Sequence, residues 1–264
     1  MMFSQKLISW YEKNKRDLPW RKTKNPYYIW LSEIILQQTR VEQGLPYYLK
    51  FVKKFPTIKE LANTSEDEVL NSWKGLGYYT RARNLHFTAK SICENHREKF
   101  PGNYEDILKL KGIGKYTAAA IASFAYNLPY PVVDGNVQRV LARVFGVSET
   151  FSSSEGEKKF YSLAGNLLNR KNPGNFNQAI MEFGAIHCTP VNPKCMKCIF
   201  RESCVAFQTG RVADFPVKSK KAKSRNRYFN YLVIHNGNNI FLDKRQKNDI
   251  WKNLYEFPLI ESKN

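Results

Sequence analysis

The stretch Tyr104-Glu-Asp-Ile-Leu-Lys-Leu110-Lys-Gly-Ile-Gly-Lys-Tyr-Thr-Ala-Ala-Ala-Ile-Ala-Ser-Phe-Ala-Tyr126 reads as two short helices, Tyr104 to Leu110 and Tyr116 to Tyr126, joined by Lys111-Gly112-Ile113-Gly114. Two glycines in a tight interhelical turn let backbone N–H groups approach a phosphate without side-chain obstruction. The helix that follows presents its positive N-terminal end to the same oxygen. Such a turn grips nucleic-acid backbone rather than bases, so it positions without specifying sequence. Many helical hairpins also turn on glycine for steric reasons alone, so the motif gains weight only from its surroundings.

Those surroundings are helical up to about residue 210. Asn25-Pro26 supplies an N-cap and a first-turn proline for a helix through Leu36. Thr39 with Glu42 and Ser65 with Glu68 read as capping boxes, the second helix stopping at Gly75. Tyr79 to Asn95 is helical by period, and Asp134 opens a helix that closes at Gly146. Ser152 with Glu155 opens another through about Leu168, and Asn175 opens the last. After Arg227 the period changes: Tyr228 to His235 and Asn239 to Leu242 read as strands joined by Asn236-Gly237-Asn238.

Composition bounds the function. The chain has 264 residues, 42% hydrophobic, enough for one or two substantial cores. No run of eighteen apolar residues occurs, and the first residues do not read as a signal peptide, so no membrane partner and a cytoplasmic setting are expected, nucleoid-associated in a prokaryote. Lys and Arg number 42 against 23 Asp and Glu, a net charge of +19. That excess attracts phosphate backbones, though membrane surfaces and acidic proteins attract it too. The densest basic run, Arg211 to Arg227, reads as a linker, either solvated or lying along DNA.

Four of the five cysteines, Cys188, Cys195, Cys198 and Cys204, form a C-x6-C-x2-C-x5-C array. In a reducing compartment clustered thiols point to metal rather than disulfides. Zinc sites of four cysteines usually come as two separated C-x-x-C pairs, and only Cys195 and Cys198 make one here. A [4Fe–4S] cubane held in one compact loop stands ahead of zinc on spacing. Cys93, alone in a helical pattern, reads as a core residue.

Two carboxylates have the settings of catalysts. Asp134 is the N-cap of a helix, an end that favours the ionised form. Glu33 lies among Trp30, Leu31, Ile34 and Ile35, where desolvation favours the protonated acid. One ionised and one protonated carboxyl is the pairing that cleaves glycosidic bonds. Taken singly, Asp134 reads as an ordinary cap and Glu33 as a surface position.

Taken together, Leu18-Pro-Trp-Arg21, Ser32-Glu-Ile-Ile-Leu-Gln-Gln-Thr39, Gly75-Leu-Gly-Tyr-Tyr79, Gly112-Ile-Gly-Lys-Tyr-Thr117, Val133-Asp-Gly-Asn-Val137, Met181-Glu-Phe-Gly184 and the four cysteines resemble the MutY family of adenine DNA glycosylases, within the helix-hairpin-helix, iron–sulfur group that includes endonuclease III. The resemblance covers about residues 5 to 210. It implies a mainly α, two-lobed fold: a six-helix barrel module over 26–132, and an iron–sulfur module combining 1–25 with 133–210. A basic linker over 211–227 and an incomplete MutT-like domain over 228–264 follow. That last segment reads as the opening of a truncated domain, its apolar face (Leu232, Ile234, Ile240, Leu242) left uncovered.

The resemblance also implies roles. The expected partner is double-stranded DNA holding adenine opposite 8-oxoguanine or guanine, bound by a monomer that flips the adenine out. Glu33 would protonate the base at N7, Asp134 stabilise the oxocarbenium-like sugar, and Tyr116 assist near the sugar. Gln38 and Thr39 would wedge into the duplex, and Arg21 and Glu182 would hold the flipped adenine. Gly112 and Gly114 would bind phosphate, and Asn136 would join the substrate- and DNA-binding set. The four cysteines would hold one [4Fe–4S] cluster that shapes a DNA-contacting loop. Related bifunctional enzymes carry lysine where Tyr116 stands; Lys115 is about a hundred degrees round the helix, so a monofunctional enzyme is implied. The alternatives are an endonuclease III-like glycosylase–lyase for oxidised pyrimidines and a non-catalytic iron–sulfur DNA-binding protein.

Overall fold

The computed structural model describes residues 2–218, 226–247, 249–252 and 254–262. Most of the expected basic linker, 219–225, lies outside the described residues. The rest falls into two compact units, one up to residue 218 and one from residue 226.

The first unit is helical: α1 Phe3–Asn14, α2 Pro26–Ile35, α3 Val41–Lys54, α4 Ile58–Asn63, α5 Glu66–Trp73, α6 Thr80–Asn95, α7 Tyr104–Lys109, α8 Lys115–Tyr126, α9 Gly135–Phe145, α10 Ser154–Leu167, α11 Pro173–Ile186 and α12 Val205–Gln208. Two apolar cores organise it. One gathers buried side chains from Tyr27 to Val132, with Trp30, Phe51 and Trp73 at its centre and half-buried Cys93 against it. The other joins Leu7 and Tyr11 to residues from Val133 to Phe215. The chain passes from one core to the other at Val132–Val133, immediately before Asp134.

Side-chain caps explain half of the α-helix starts among the described residues. The Asn25 side chain accepts from Tyr27 N at 3.0 Å with Pro26 in the first turn. Ser65 accepts from Glu68 N at 3.3 Å, and Asp134 accepts from Val137 N at 2.8 Å. α9 closes on Gly146 at φ 68, as its sequence expects.

Other expectations fail locally. Thr39 caps nothing: Gln38 takes a left-handed φ of 53, the chain turns once more, and α3 starts after Arg40. The Thr39 hydroxyl instead donates to Gln37 O at 3.3 Å. Ser153, not Ser152, caps α10, accepting from Gly156 N at 3.0 Å. α11 begins at Pro173 after Asn172, where proline's fixed φ suits the first turn; Asn175 sits inside and donates to Glu12 at 2.9 Å. Thr57 with Glu60 makes a capping box that the sequence reading passed over.

In the second unit the expected long strand is broken. β1 Tyr228–Tyr231 pairs antiparallel with the distant Leu259–Ser262, while β2 His235–Asn236 and β3 Asn239–Ile240 make a short hairpin through Gly237-Asn238. Leu232, Ile234, Ile240 and Leu242 are all exposed.

Candidate active site

α2 is apolar nearly all round, and from Ile29 to Ile35 every residue is buried. Glu33 is the one carboxyl on it. Burial pushes its carboxyl from an ordinary 4.5 up to about 7, against the pull of the Tyr116 hydroxyl, while Asp134 nearby pushes it further. Asp134 reaches the same cavity from the start of α9. Its Oδ1 accepts from Val137 N and its Oδ2 from Asn136 Nδ2 at 2.7 Å. Burial raises Asp134 as well, so the helix end does not act unopposed; those hydrogen bonds pull it back toward the anion. The two acids therefore differ in their donors. Asp134 is held by amide N–H groups and Glu33 by a phenol.

Both carboxyls line one cavity of about 420 Å³, with Tyr116, Asn136, Arg21, Thr39 and Glu182 also in its wall. That volume is within the range that encloses a small ligand. The Tyr116 hydroxyl is itself buried beside both acids, which raises its pKa well above the ordinary phenol. Lys115 points away, its ammonium exposed and paired with Glu157 at 2.9 Å.

Glu182, also in the cavity wall, is fully committed. Its Oε1 accepts from Arg16 N and Nε at 2.9 Å, and its Oε2 from Arg16 Nη2 at 2.7 Å and Arg21 Nη2 at 2.6 Å. Burial would raise this carboxyl, but the two guanidiniums hold it down at about 2. Glu182 thus fixes the arginines and is already saturated before any base enters. Arg16 was missed by sequence reading because it sits in a basic run that looks like solvated surface.

Gln38, Gly112 and Gly114 lie outside the cavity wall. Gln38 is exposed at the tip of the α2–α3 turn. Gly112, at φ 79, turns the α7–α8 hairpin, and a Cβ there would meet the Asn84 side chain at 2.7 Å. Gly114 N-caps α8 with open space around it. A second exposed tip belongs to Tyr78, also left-handed at φ 47, which sequence reading left without a role.

Cys188, Cys195, Cys198 and Cys204 face a common small cavity beside Arg143 and His187. Among the described residues no three His, Cys, Asp or Glu side chains converge tightly enough to hold an ion as they stand. The donor set nonetheless fits an anionic iron–sulfur group. Arg143 Nη1 donates to Cys188 Sγ at 3.5 Å and Phe200 N to Cys198 Sγ at 3.4 Å, both contacts that favour thiolate. The buried His187 Nε2 has no partner, and a sulfide or thiolate in the cavity would supply one.

Residues 31–165 match the HhH-GPD superfamily base excision DNA repair protein family. An adenine DNA glycosylase of Buchnera aphidicola (from Schizaphis graminum) is 40% identical over 263 residues, 99% of this chain and 76% of that protein. The chain belongs to the adenine DNA glycosylase family. The human adenine DNA glycosylase is 42% identical over 215 residues, 78% of this chain and 39% of its own. Among solved structures, a thermostable thymine-DNA glycosylase aligns with TM-score 0.73 at 31% identity, covering 78% of this chain and 95% of that one. An endonuclease III–DNA complex shares the fold, with TM-score 0.67 at 18% identity. In this member of the adenine DNA glycosylase family the Arg16–Glu182–Arg21 cluster lines the cavity together with the two acids, and no lysine lines the cavity among the described residues.

Proposed function

We propose that the chain hydrolyses the N-glycosidic bond of adenine mispaired with 8-oxoguanine or guanine in duplex DNA, acting as a monomer and leaving an abasic strand. The observation that carries this reading is the buried pair of acids: Glu33, raised to about 7, and Asp134, held by N–H donors, line one cavity with Tyr116. A glycosidic bond inside the stack is out of reach, so the adenine must first turn out into that cavity. Glu33 then donates its proton to N7, making the base a neutral leaving group. Asp134 faces the sugar as positive charge develops there and assists the water that completes the hydrolysis. Tyr116 donates to the Glu33 carboxyl and so steadies the carboxylate left once that proton has gone. Arg21, fixed by Glu182, and Asn136 line the base and sugar positions, while Gln38 and Thr39 fill the space the base vacates.

We assign the two cores to two modules, a barrel-like one over 26–132 and a second combining 1–25 with 133–210, whose boundary delivers Asp134 to the cleft. Gly112 and Gly114 offer backbone N–H groups to a phosphate. Cys188, Cys195, Cys198 and Cys204 would hold a [4Fe–4S] cluster, which supplies a rigid, charged brace rather than chemistry in the hydrolysis. Among the described residues no helix is long and apolar enough to cross a membrane.

The test is base release under single turnover from duplexes with adenine opposite 8-oxoguanine, adenine opposite guanine, thymine opposite guanine, or thymine glycol. Free adenine from the first two, with strand scission only after alkali, is expected. Release of thymine or thymine glycol instead would replace this reading with a pyrimidine glycosylase.

A further inference from the structure

Arg81, in the first turn of α6, makes a set of contacts that neither the cleft nor the hairpin explains. Its Nη1 donates to three carbonyls at the end of α2 and the turn beyond it: Ile34 at 2.9 Å, Ile35 at 3.1 Å and Gln37 at 2.5 Å. Its Nη2 reaches the other way, to Leu76 O at 3.5 Å and Gly77 O at 3.4 Å. The guanidinium lies 5.1 Å from the Trp73 ring and 5.7 Å from the Tyr78 ring. Each turn it grips ends in a non-glycine residue held at positive φ with its side chain exposed, Gln38 at 53 and Tyr78 at 47. Left-handed backbone at such residues persists only where the surroundings enforce it. The fork of one arginine is the element common to both turns, and an ammonium, a point charge, could not span them.

We propose that Arg81 is a positioning residue for base extrusion: it locks the Gln38 turn and the Tyr78 turn at one spacing, so that both side chains enter the duplex together. The proposal rests on the reading of Gln38 as a wedge. Losing the lock impairs the opening of the stack and spares the chemistry that Glu33 and Asp134 perform on an adenine already outside it.

The experiment compares Arg81→Met, Arg81→Lys and Gln38→Ala with the full wild-type chain. Two readouts are taken: the fluorescence rise of 2-aminopurine placed at the target position, and single-turnover adenine release from a paired duplex and from one carrying the adenine as a one-nucleotide bulge. Arg81→Met is expected to lose the fluorescence rise and slow release from the paired duplex by about tenfold or more, while the bulged substrate stays within about twofold of wild type. Arg81→Lys is expected to recover little. Equal slowing on both substrates would make Arg81 a fold residue and overturn the proposal. So would a normal fluorescence rise in both arginine variants while Gln38→Ala loses it, which leaves the wedge reading standing. Normal extrusion in all three variants would remove the wedge reading itself.

Discussion

Glu33 is the group on which the chemistry turns, and its burial ties activity to stability. Because its folded pKa is about 7 against 4.5 ordinarily, the folded chain holds a proton that the unfolded chain releases between those values. Stability therefore falls as pH rises through that window, by up to about 3 kcal/mol once the buried carboxylate is charged. Glu33→Gln should raise the melting temperature at pH 8, and the gain should shrink toward zero near pH 4.5; an equal gain at both values would place the acid in solvent. The single-turnover rate should decline above about pH 7, because the proton that Glu33 donates has gone, and Glu33→Gln should lose adenine release altogether. Asp134→Asn preserves a competent N-cap, so duplex affinity should hold while release disappears; near wild-type rates would remove Asp134 from the chemistry. At this scale the sequence is legible where a residue contradicts its neighbours, as Glu33 does within an apolar helix. Arg16 and Arg81 were illegible for the opposite reason. One resembles its basic neighbours, and the other binds carbonyls, which no residue type advertises.

At the scale of elements, the α7–α8 hairpin separates steric from functional glycine. Gly112→Ala should cost about 1–2 kcal/mol in thermal or denaturant unfolding, since φ 79 is strained for alanine and its Cβ meets Asn84. Gly114→Ala has room and should cost only about half a kcal/mol, the difference between a glycine and an alanine cap. Its duplex affinity should nevertheless fall, because that Cβ stands where a phosphate oxygen would approach; unchanged affinity would mean the hairpin does not touch DNA there. The next residues give a second test. Tyr116 faces the acids and Lys115 pairs with Glu157, so borohydride should trap little covalent complex. Efficient trapping lost in Lys115→Ala would reverse the monofunctional assignment. Helix starts were readable where one side chain had no competitor, as at Asn25, Ser65 and Asp134. They slipped by one to three residues at Thr39, Ser152 and Asn175, where neighbouring serines, asparagines or a proline offered an alternative cap, or where a non-glycine residue took a left-handed turn.

For the molecule as a whole, the cysteine cavity sets the first expectation. Protein purified without oxygen should be brown, with about four irons per chain and broad absorbance near about 400 nm; a colourless chain with one zinc would replace the cluster. The β unit shows where long-range pairing escapes a sequence reading. The alternation from Tyr228 was visible, but the partner of its first four residues is Leu259–Ser262, and nothing local to either segment encodes that register. The central claim, that a buried acid and a donor-held carboxylate remove adenine from a mispair, is tested most directly by one time course. Wild type and Asp134→Asn are each mixed in excess with a duplex holding radiolabelled adenine opposite 8-oxoguanine, and free base is counted. Full release by wild type is expected with the sugar–phosphate strand unbroken before alkali, and none by Asp134→Asn despite equal duplex binding. No adenine from wild type carrying its full complement of iron, or equal release from both proteins, would contradict the claim.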